Sequence, residues 1–494
     1  MTKSCRMPGY ATTFHRKCLL LWVLLGSFTL GAGARPPSII FVLADDLGYG
    51  DLGCYGQTLI ATPRLDRMAA EGMRFTRCYA GSTVCAPSRS VTMTGQHTGH
   101  TTVRGNAGAG RAAAQTLRPE DVTVAEVLKS VGYGTALVGK WGLGEANSSG
   151  APWLQGFDTF FGFLNQTHAH NHFPDHLLRR DQRVDLRNDL VAVGTTGAGY
   201  ATRRIDYAND LFFAEAASFV RENRDRPFFL YLALTVPHAN NERSRLLGDG
   251  QEVPDYGAYA DRAWPAPMKG QAAMISRLDA GVGRLLDQLR SLGIEESTLV
   301  IFSSDNGPHR EGGPQYDPAF FAASGGLRGI KRDLTEGGIR VPFIARWPRY
   351  VPAGVTTAQV VYHGDLFATF AELAGADAPT ATDSLSLVPA LLGRPRDQRS
   401  HEVLYWEFYE KGFQQALLWQ GRWKAIRSKR DGATLELYDL DADPGESHNR
   451  AAEEPTVVAA VTRWMDESHR PDANWSFPLP SNRQPATSSA PLKP

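Results

Sequence analysis

The sequence predicts an α/β fold with a large mixed, mostly parallel sheet sandwiched by helices and a small C-terminal domain with an antiparallel sheet and a helix. Four apolar, β-rich runs end abruptly in polar or charged residues, which is typical of strands buried on both faces of a sheet. Helical patterns lie between these runs, and that alternation indicates a largely parallel sheet. Beyond residue 400, short aromatic-rich runs separated by turn residues indicate the second, antiparallel sheet.

The four predicted strands occupy residues 38–46, 134–141, 227–238 and 298–307. In open parallel sheets, ligands bind beyond the carboxyl ends of the strands. We therefore expect the polar residues that close these runs to meet at one rim of the sheet, although they are far apart along the chain. These residues are Asp45, Asp46, Lys140, His238, Asp305 and Asn306.

The predicted helices each carry one apolar face. In TPRLDRMAAEG, Leu65, Met68 and Ala69 share a face, as expected for a helix that packs on a sheet. A longer stretch before Gly293 repeats apolar residues at helical spacing, at Met274, Ile275, Leu278, Val282, Leu285, Leu286 and Leu289.

Residues 1–34 have the order of a secretory signal peptide. Basic residues precede the apolar run CLLLWVLLGSFTL, and the triplet Ala32-Gly33-Ala34 follows it. We predict cleavage after Ala34; a retained anchor is the alternative, but the run is short for a bilayer. No later stretch is apolar enough to span a membrane, so we expect no stable membrane anchor. The expected destinations are the periplasm, the cell exterior or, in a eukaryote, an endomembrane or lysosomal compartment.

The remaining chain divides at the polar, small-residue stretch ADAPTATDSLSL. Residues 35–375 are predicted to form the large α/β domain. Residues 376–475 are predicted to form a small α+β subdomain, with strands in VLYWEFYE, QQALLWQ, RWKAIRS and LELYDLD and a helix near 455–468. The Pro/Ser-rich segment 476–494 is predicted to be disordered.

Charge and cysteine content exclude some classes of function. Lysine plus arginine and aspartate plus glutamate stand at 52 each, so we expect neither a nucleic-acid partner nor a charged membrane surface. Export would place the chain in an oxidising compartment. Removal of the signal leaves Cys54, Cys78 and Cys85, so at least one thiol stays free or is changed, and spacing alone does not say which.

Acidic residues close two of the predicted strands, with Asp45-Asp46 at one end and Asp305-Asn306 at another. Together they would supply several hard oxygens with net negative charge, which suits Ca²⁺ or Mg²⁺ rather than zinc. Calcium tolerates irregular, many-oxygen geometry better and is the ion we predict. The alternative is that each pair forms a turn or caps a helix. Their occurrence at two strand ends of one sheet favours the metal.

Cationic residues are predicted at the same rim. Arg89 lies four residues after Cys85 and would share its face on a helix. Lys140 and His238 close two strands, and Lys331 lies in the glycine-rich stretch SGGLRGIKRDLTEGG. Each alone would be a solvated surface charge. Together with a divalent cation and the helix amides after Cys85, they predict a pocket for sulfate or phosphate.

The motifs that contain these residues resemble those of the type I, formylglycine-dependent sulfatases of the alkaline phosphatase superfamily, which include the arylsulfatases. CAPSR followed by TG at residues 85–95 matches the signature C-x-P-S-R-x-x-x-T-G. The match continues in the family's order through ADDLGYGDLGCYG, GKWGLG, TVPHAN, SSDNGPH, LRGIKRDLTEGGIRVPFIARWP and LYDLDADPGE. The resemblance implies an alkaline phosphatase-like fold, a catalytic domain at 35–375 and hydrolysis of a sulfate monoester.

The resemblance also implies a modified residue and a metal. Cys85 would be converted before folding, by a formylglycine-generating enzyme, to formylglycine (3-oxoalanine), whose aldehyde is hydrated. A hydrated aldehyde beside a divalent cation loses a proton more readily than serine and can attack sulfur. One calcium ion would be bound by Asp45, Asp46, Asp305, Asn306 and the modified residue 85. Cys54 and Cys78 would be bridged to each other or remain buried thiols.

Four further residues receive roles from the matched motifs. Arg89 and Lys140 would hold and activate the modified residue. Lys331 and His238 would contact the sulfate and the ester oxygen that leaves. Cationic groups of this kind stabilise charge on the sulfuryl oxygens, and His238 is the candidate general acid for the leaving alcohol.

One position departs from the family's pattern. Members commonly have G-K-W-H-L-G, with the histidine assigned to the hydrated formylglycine, whereas this chain has Gly142 there. Either another residue supplies the base or turnover is impaired. The histidine-rich segment 165–176 offers His168 or His170 as a replacement; alternatively these are only pocket-lining or surface imidazoles.

Substrate preference is predicted from loops that follow the matched motifs. A sulfated carbohydrate, cleaved at a chain end, is the expected substrate, and its contacts are predicted to be Gln166, His168, His170, His309 and Arg310. Two rival functions remain open at this point. One is a phosphate or phosphonate monoester hydrolase of the same fold, and the other is a non-catalytic protein that binds sulfated glycans, in which Cys85 is unmodified and Gly142 marks lost activity.

Overall fold

The structure is a computed structural model that describes residues 1–2, 35–107, 109–379, 381–428 and 434–476. The predicted signal segment 1–34 and the predicted tail 476–494 therefore lie outside the described residues, except for residues 1–2 and 476.

Strands and helices alternate along most of the described chain. The strands are β1 (Ser38–Asp45), β2 (Met73–Tyr79), β3 (Gly134–Lys140), β4 (Thr159–Phe163), β5 (His176–Arg179), β6 (Gln182–Asp185), β7 (Asp189–Ala192), β8 (Gly199–Arg203), β9 (Phe228–Pro237), β10 (Thr298–Ser304), β11 (Arg340–Arg346), β12 (Val355–Tyr362), β13 (Val403–Phe408), β14 (Gln414–Trp419), β15 (Trp423–Ser428) and β16 (Thr434–Asp439). The helices are α1 (Pro63–Ala70), α2 (Cys85–Thr94), α3 (Val124–Ser130), α4 (Ala208–Asn223), α5 (Asn241–Leu247), α6 (Ala266–Ser291), α7 (Glu336–Ile339), α8 (Asp365–Ala374), α9 (Val388–Leu391) and α10 (Pro455–Glu467).

The main sheet has ten strands in the order β12-β2-β11-β10-β1-β9-β3-β4-β5-β6. Its five central strands, from β10 to β4, are parallel to one another. Antiparallel partners flank them, with β11 on β10 and β5 on β4. The prediction of a large mixed, mostly parallel sheet is therefore confirmed.

Strand β1 shows why the predicted runs are apolar throughout. Ile40 and Val42 belong to the core on one face of the sheet, which includes residues of α4 and α6. Ile39 and Phe41 belong to the core on the other face, with residues of α3 and α8. Because successive side chains of a strand point to opposite faces, a strand covered by helices on both sides needs apolar residues at every position.

The C-terminal part forms a separate four-stranded antiparallel sheet in the order β13-β14-β15-β16. One face packs against α10, where Tyr405 and Leu417 share a core with Met465. The other face packs on the main sheet through Trp406, whose ring centroid lies 5.6 Å from that of Tyr79. The predicted small antiparallel sheet and its helix are confirmed, and the described residues from Pro36 onward belong to one compact unit.

Two further observations concern the apolar character of the helices and the state of the cysteines. Among the described residues, no helix combines the length and apolar character that a membrane span requires. Cys54, Cys78 and Cys85 are free thiols, with Cys54 partly buried and the other two buried. Of the two alternatives for Cys54 and Cys78, the structure therefore has the unpaired thiols.

Candidate active site

Neighbouring strands bring charged side chains to one rim of the main sheet. Asp45 ends β1, Lys140 ends β3, and His238 follows β9 directly. Asp305 follows β10, and these four strands are adjacent and parallel. The expected convergence is observed, because Lys140 Nζ donates to Asp45 Oδ2 at 2.6 Å and His238 Nε2 lies 3.5 Å from Asp46 Oδ2.

Helix α2 begins at Cys85 and carries the signature residues to this rim. All ten residues of the helix are buried. Cys85 Sγ donates to Asp45 Oδ1 at 3.2 Å. One turn later, Arg89 Nη2 donates to Asp305 Oδ2 at 2.9 Å and Nη1 donates to the Lys140 carbonyl at 2.7 Å. Arg89 thus ties the helix to β3 and β10 and fixes the position of residue 85.

Three carboxylates and an amide oxygen gather beside Cys85. Asp45, Asp46 and Asp305 are fully buried, and Asn306 Nδ2 donates to Asp46 Oδ1 at 2.7 Å. Asn306 Oδ1 is buried and has no partner among the described residues, which is costly unless an ion or water meets it. Hard oxygens with net negative charge fit a hard divalent cation. Four potential metal-ligand atoms lie within 4.8 Å of one another, one each from Asp45, Asp46, Cys85 and His238.

Lys331 places its ammonium group between three acceptors of the site. Its Nζ donates to Asp46 Oδ2 at 2.8 Å, to His238 Nε2 at 3.1 Å and to Glu311 Oε2 at 3.1 Å. Burial lowers the pKa of Lys331, but the charges of Asp46 and Glu311 raise it well above its usual value. The backbone is strained at two residues here, since Asp46 has φ 66° and Arg332 has φ 74°. Non-glycine residues rarely adopt this left-handed region, and such strain often marks functional sites.

The crowding of charges shifts other pKa values. Burial raises the pKa of Asp45, but the charges of Lys140 and His238 outweigh it and hold that pKa well below its usual range. Burial and the Asp45 carboxylate together raise the pKa of Asp305. Burial, followed by Asp45, raises the pKa of the Cys85 thiol well above its usual value. A thiol at position 85 therefore stays protonated at neutral pH and is a weak nucleophile.

A cavity of about 340 Å³ opens over the rim, which is within the range of pockets that bind small ligands. Cys85, Lys140, His238 and Lys331 line it. Further lining residues come from loops and from α5, and they include Asn106, Gln115, Gly142, Glu145, Gln166, His170, Arg245, Arg332 and Glu410.

The predicted substrate contacts separate into groups. Gln166 and His170 line the cavity, whereas Arg310 lines an adjoining depression. His309 does not line the cavity; it is buried behind His238, with the two ring centroids 6.0 Å apart. His168 also lies away from the cavity lining, because the 3-10 turn His168–His170 directs it into the interior, where its ring contacts those of Phe163 and His176.

Gly142 leaves space that another residue fills. Its φ is +79°, and a Cβ built on it would lie 2.3 Å from Gln166 Nε2. Gln166 Nε2 is buried without a hydrogen-bond partner among the described side and main chains, so it is a donor available to a bound oxygen. Gln115 Nε2 donates to the Gly142 carbonyl at 3.0 Å. Two glutamines therefore frame the position at which the family's pattern has a histidine.

His170 is paired with a buried carboxylate. Its Nδ1 lies 3.1 Å from Glu242 Oε2, and its ring stacks on that of His238 with centroids 5.0 Å apart. Burial raises the pKa of Glu242, but the hydrogen bond from His170 and the charge of that ring, with smaller contributions, together lower it below its usual value. An ionised carboxylate on Nδ1 makes that nitrogen the donor and leaves Nε2 as the free ring nitrogen.

Several residues of the site were not predicted from sequence. Glu311 and Glu242 each follow a predicted strand end by a few residues, within HRE and HANNE. An acidic residue in that position is a signal that could have found them. No such signal marks Gln115, Arg245 or Glu410, although all three line the cavity. Glu410 lies in the loop between β13 and β14, and only the folded chain brings it to the cavity.

Two family models match the chain. The model described as Sulfatase matches residues 37–376, and the model described as N-sulphoglucosamine sulphohydrolase, C-terminal, matches residues 330–469. Among curated proteins, arylsulfatase A from Homo sapiens is 34% identical over 483 residues, which cover 87% of this chain and 87% of that protein. Steryl-sulfatase from Mus musculus is 33% identical over 467 residues, which cover 80% of this chain and 71% of that protein.

Solved structures share the fold. The crystal structure of Ps i-CgsB in complex with k-i-k-neocarrahexaose is 26% identical with a TM-score of 0.72, and the match covers 88% of this chain and 92% of that chain. A structure from work on the metabolism of multiple glycosaminoglycans by Bacteroides thetaiotaomicron is 26% identical with a TM-score of 0.70 and covers 88% of this chain and 99% of that chain.

Proposed function

The chain belongs to the sulfatase family, whose named members are sulfuric ester hydrolases, and we propose that it hydrolyses a sulfate monoester of a carbohydrate. The observation that carries the proposal is the set of cationic side chains beside Cys85 at the cavity. Lys140 and Lys331 line the cavity together with Cys85, and Arg89 lies directly behind them. Fixed positive charges of this kind stabilise the developing charge on sulfuryl oxygens.

We assign a calcium ion to this site rather than magnesium. Its proposed ligands are Asp45, Asp46, Asp305, Asn306 and the modified residue 85. The buried Asn306 Oδ1, which has no partner among the described residues, supports the assignment, and so does the all-oxygen character of the other side chains. A bound divalent cation would supply positive charge beside the nucleophile and the sulfate.

We further propose that Cys85 is converted to formylglycine by a formylglycine-generating enzyme. The hydrated aldehyde would supply an oxygen nucleophile that is more readily deprotonated than serine. The chain's own residues hold that side chain in place. Arg89 donates a hydrogen bond to Asp305. Lys140 Nζ donates to one carboxylate oxygen of Asp45, and residue 85 contacts the other oxygen.

His238 is the proposed general acid. Its Nδ1 lies 2.7 Å from the Ala239 carbonyl, so Nδ1 is the donor there and Nε2 faces Lys331. Nε2 accepts from Lys331 Nζ at 3.1 Å, so we assign to the two side chains together the transfer of a proton, from Nζ through Nε2, to the ester oxygen that leaves. Lys331 remains the proposed contact for the sulfate oxygens.

His170 is the proposed substitute for the histidine absent at Gly142. It lines the cavity, whereas His168 does not. Glu242 holds Nδ1 at 3.1 Å, which leaves Nε2 to accept a proton in the cavity. Gln166 Nε2, next to Gly142, is proposed to donate to a sulfate or sugar oxygen.

The proposed substrate is a sulfated sugar at the end of a chain. The cavity of about 340 Å³ is small, which favours a terminal residue over the interior of a polysaccharide. Its lining is rich in hydrogen-bonding side chains, as recognition of hydroxyl groups requires. The solved structure of Ps i-CgsB holds a neocarrahexaose, which supports a carbohydrate substrate. We also propose export of the chain by its N-terminal segment.

Mass spectrometry and turnover test this function together. The chain is expressed with a formylglycine-generating enzyme, and the peptide that contains residue 85 should have the mass of an aldehyde in place of a thiol. The same preparation should hydrolyse a sulfated monosaccharide, and Cys85→Ala should not. Preference for the matched phosphate ester by orders of magnitude would identify a phosphate or phosphonate hydrolase. An intact thiol without turnover, in a host that has the formylglycine-generating enzyme, would favour a sulfated-glycan-binding protein.

A further inference from the structure

The cavity continues outward into a cationic depression. Arg245 and Arg332 line both the cavity and the depression. Arg310 lines the outer part, beside Glu311. A substrate whose sulfate lies at Cys85 would therefore extend past three guanidinium groups as it leaves the cavity.

The three arginines differ in how far their charges are already neutralised. Arg332 is paired with Glu311 and lies 3.0 Å from Glu410. Arg310 lies 3.1 Å from Asp317. Arg245 has only a 4.0 Å contact with Glu242, its side chain is 71% exposed, and it donates no hydrogen bond within the described part of the chain. Glu242 is already bonded to His170.

Helix α5 holds Arg245 in a fixed relation to the reaction centre. The helix starts three residues after His238, and the Asn240 side chain caps it by accepting from the Arg243 amide at 3.0 Å. Glu242, on the same helix, is buried against His170. One turn of helix therefore separates a residue of the reaction site from an exposed cation at its mouth.

We propose that Arg245, assisted by Arg310 and Arg332, forms an outer subsite for a second anionic group on the same glycan. This inference rests on the proposed function, because it places the first anion at Cys85. The ligand is a sulfate or a carboxylate on the neighbouring sugar, since a guanidinium binds either oxyanion through paired hydrogen bonds. The preferred substrate class is then a multiply anionic glycan rather than one with a single sulfate.

Kinetics with matched substrates test the subsite. The substrates are a monosulfated disaccharide, the same disaccharide with a second sulfate and the same disaccharide with a uronic carboxylate. Arg245→Ala should raise KM for a doubly anionic substrate by about tenfold, the effect of losing one exposed charge-assisted contact. It should leave kcat unchanged and leave KM for the monosulfated compound within about twofold. Added salt should raise KM more for the doubly anionic substrates than for the monosulfated one, because the contact at Arg245 is exposed.

The control variant is Arg224→Ala. Arg224 is 51% exposed and lies 3.6 Å from the carboxylate of Asp225. It precedes β9, so it lies at the amino end of the parallel strands, opposite the rim. It should leave every KM unchanged. Calorimetric titration of Cys85→Ala protein with the disulfated disaccharide, with and without Arg245→Ala, gives a second readout that needs no turnover.

The outcomes separate the subsite from the enzyme function. A tenfold loss with either the second sulfate or the carboxylate supports the subsite and identifies its ligand. Equal effects on singly and doubly anionic substrates, or no effect on either, overturn it while sulfatase activity stands. If the aldehyde-containing wild-type protein hydrolyses none of the sulfate esters, the proposed function itself fails.

Discussion

Two of the buried ionic clusters in the described part of the chain differ in whether they are complete. At the rim, Asn306 Oδ1 has no partner in the described structure and a cavity opens above the charges. The second cluster joins α7 to the C-terminal sheet, where Lys424 Nζ donates to Glu336 at 2.9 Å and to Glu446 at 3.4 Å. Tyr79 donates to the other Glu336 oxygen at 2.9 Å.

The difference shows how to recognise a functional charge cluster. Burying charges costs free energy, which is offset only when each charge is paired and hydrogen-bonded. In the cluster around Lys424 that pairing is complete, so its role is to fix the contact between the two sheets. In the rim cluster an acceptor is left over beside a cavity, so the cluster is completed by something that the chain itself does not supply.

The largest expected effect is on the function of the rim cluster. Cys85→Ala should lower kcat/KM by at least about 10³-fold, as loss of a nucleophile does in other enzymes. The thermal midpoint should change little, because the side chain is small and its loss leaves no charge unpaired. Turnover and melting are measured on the same preparation. A residual activity of one tenth would show that residue 85 is not the nucleophile.

The second largest effect is on stability, at the cluster around Lys424. Lys424→Ala leaves Glu336 and Glu446 buried without their cation, which should destabilise the fold by about 3–5 kcal/mol. The fraction that remains folded should keep its kcat, in contrast to Cys85→Ala. Urea unfolding measures the loss. Lys411→Ala is the matched control, because Lys411 is 45% exposed and pairs with Asp333 at the surface, where such a pair contributes less than about 1 kcal/mol.

The third effect concerns His170. His170→Ala should lower kcat by about 10²-fold, in the range for loss of an acid or base. Added imidazole should restore part of the rate, because the ring's position borders the cavity. His168→Ala should not respond to imidazole, since His168 is packed against Phe163. Rescue of His168→Ala and not of His170→Ala would reverse our assignment.

The fourth effect is that of metal on stability. Calcium at a hundred times its dissociation constant should stabilise the chelator-treated protein by about 2.7 kcal/mol. Asn306→Ala should abolish most of this increment. Asn188→Ala, which removes a buried amide bonded to the Pro174 and Asp206 carbonyls, should be destabilised yet keep the calcium increment. An equal loss in both variants would mean that Asn306 is not a ligand.

The smallest expected effect is at Gly142. Gly142→Ala forces a Cβ against Gln166 and strains a backbone with φ +79°, at a cost of about 1–3 kcal/mol. Gly132→Ala isolates the backbone part, because its φ is +91° and nothing lies within 4 Å of its Cβ. Replacing Gln166 by Ala as well should recover the difference between the two variants. No recovery would show that Gln166 does not fill this space.

The sequence predicted those parts of the site that follow from strand ends. Asp45 and Lys140 end their strands and His238 directly follows its strand, and parallel pairing of neighbouring strands brings them together. Among the loop residues it named, the sequence did not separate those that line the cavity from those that do not. His168 and His170 are two residues apart, yet a single 3-10 turn separates a packed ring from a cavity-lining one. That choice depends on tertiary packing, which periodicity does not encode.

The sequence likewise predicted some features of the domains and not others. Apolar continuity predicted the main sheet because its strands are covered on both faces. It did not indicate that the C-terminal sheet packs on β2 through Trp406 and contributes to the cavity. The contact joins residues more than 300 positions apart, as in the 2.9 Å bond from Trp406 Nε1 to the Ala80 carbonyl.

Glu410 lies in the hairpin loop between β13 and β14, and it lines the cavity from a different sheet than the one that carries the charged rim. Hairpin loops tolerate insertions and substitutions better than the strands they join. Substitutions in this hairpin can therefore reshape one wall of the cavity while the buried charges of the rim stay the same. Part of the cavity's shape is thus free to diverge independently of the residues beside Cys85.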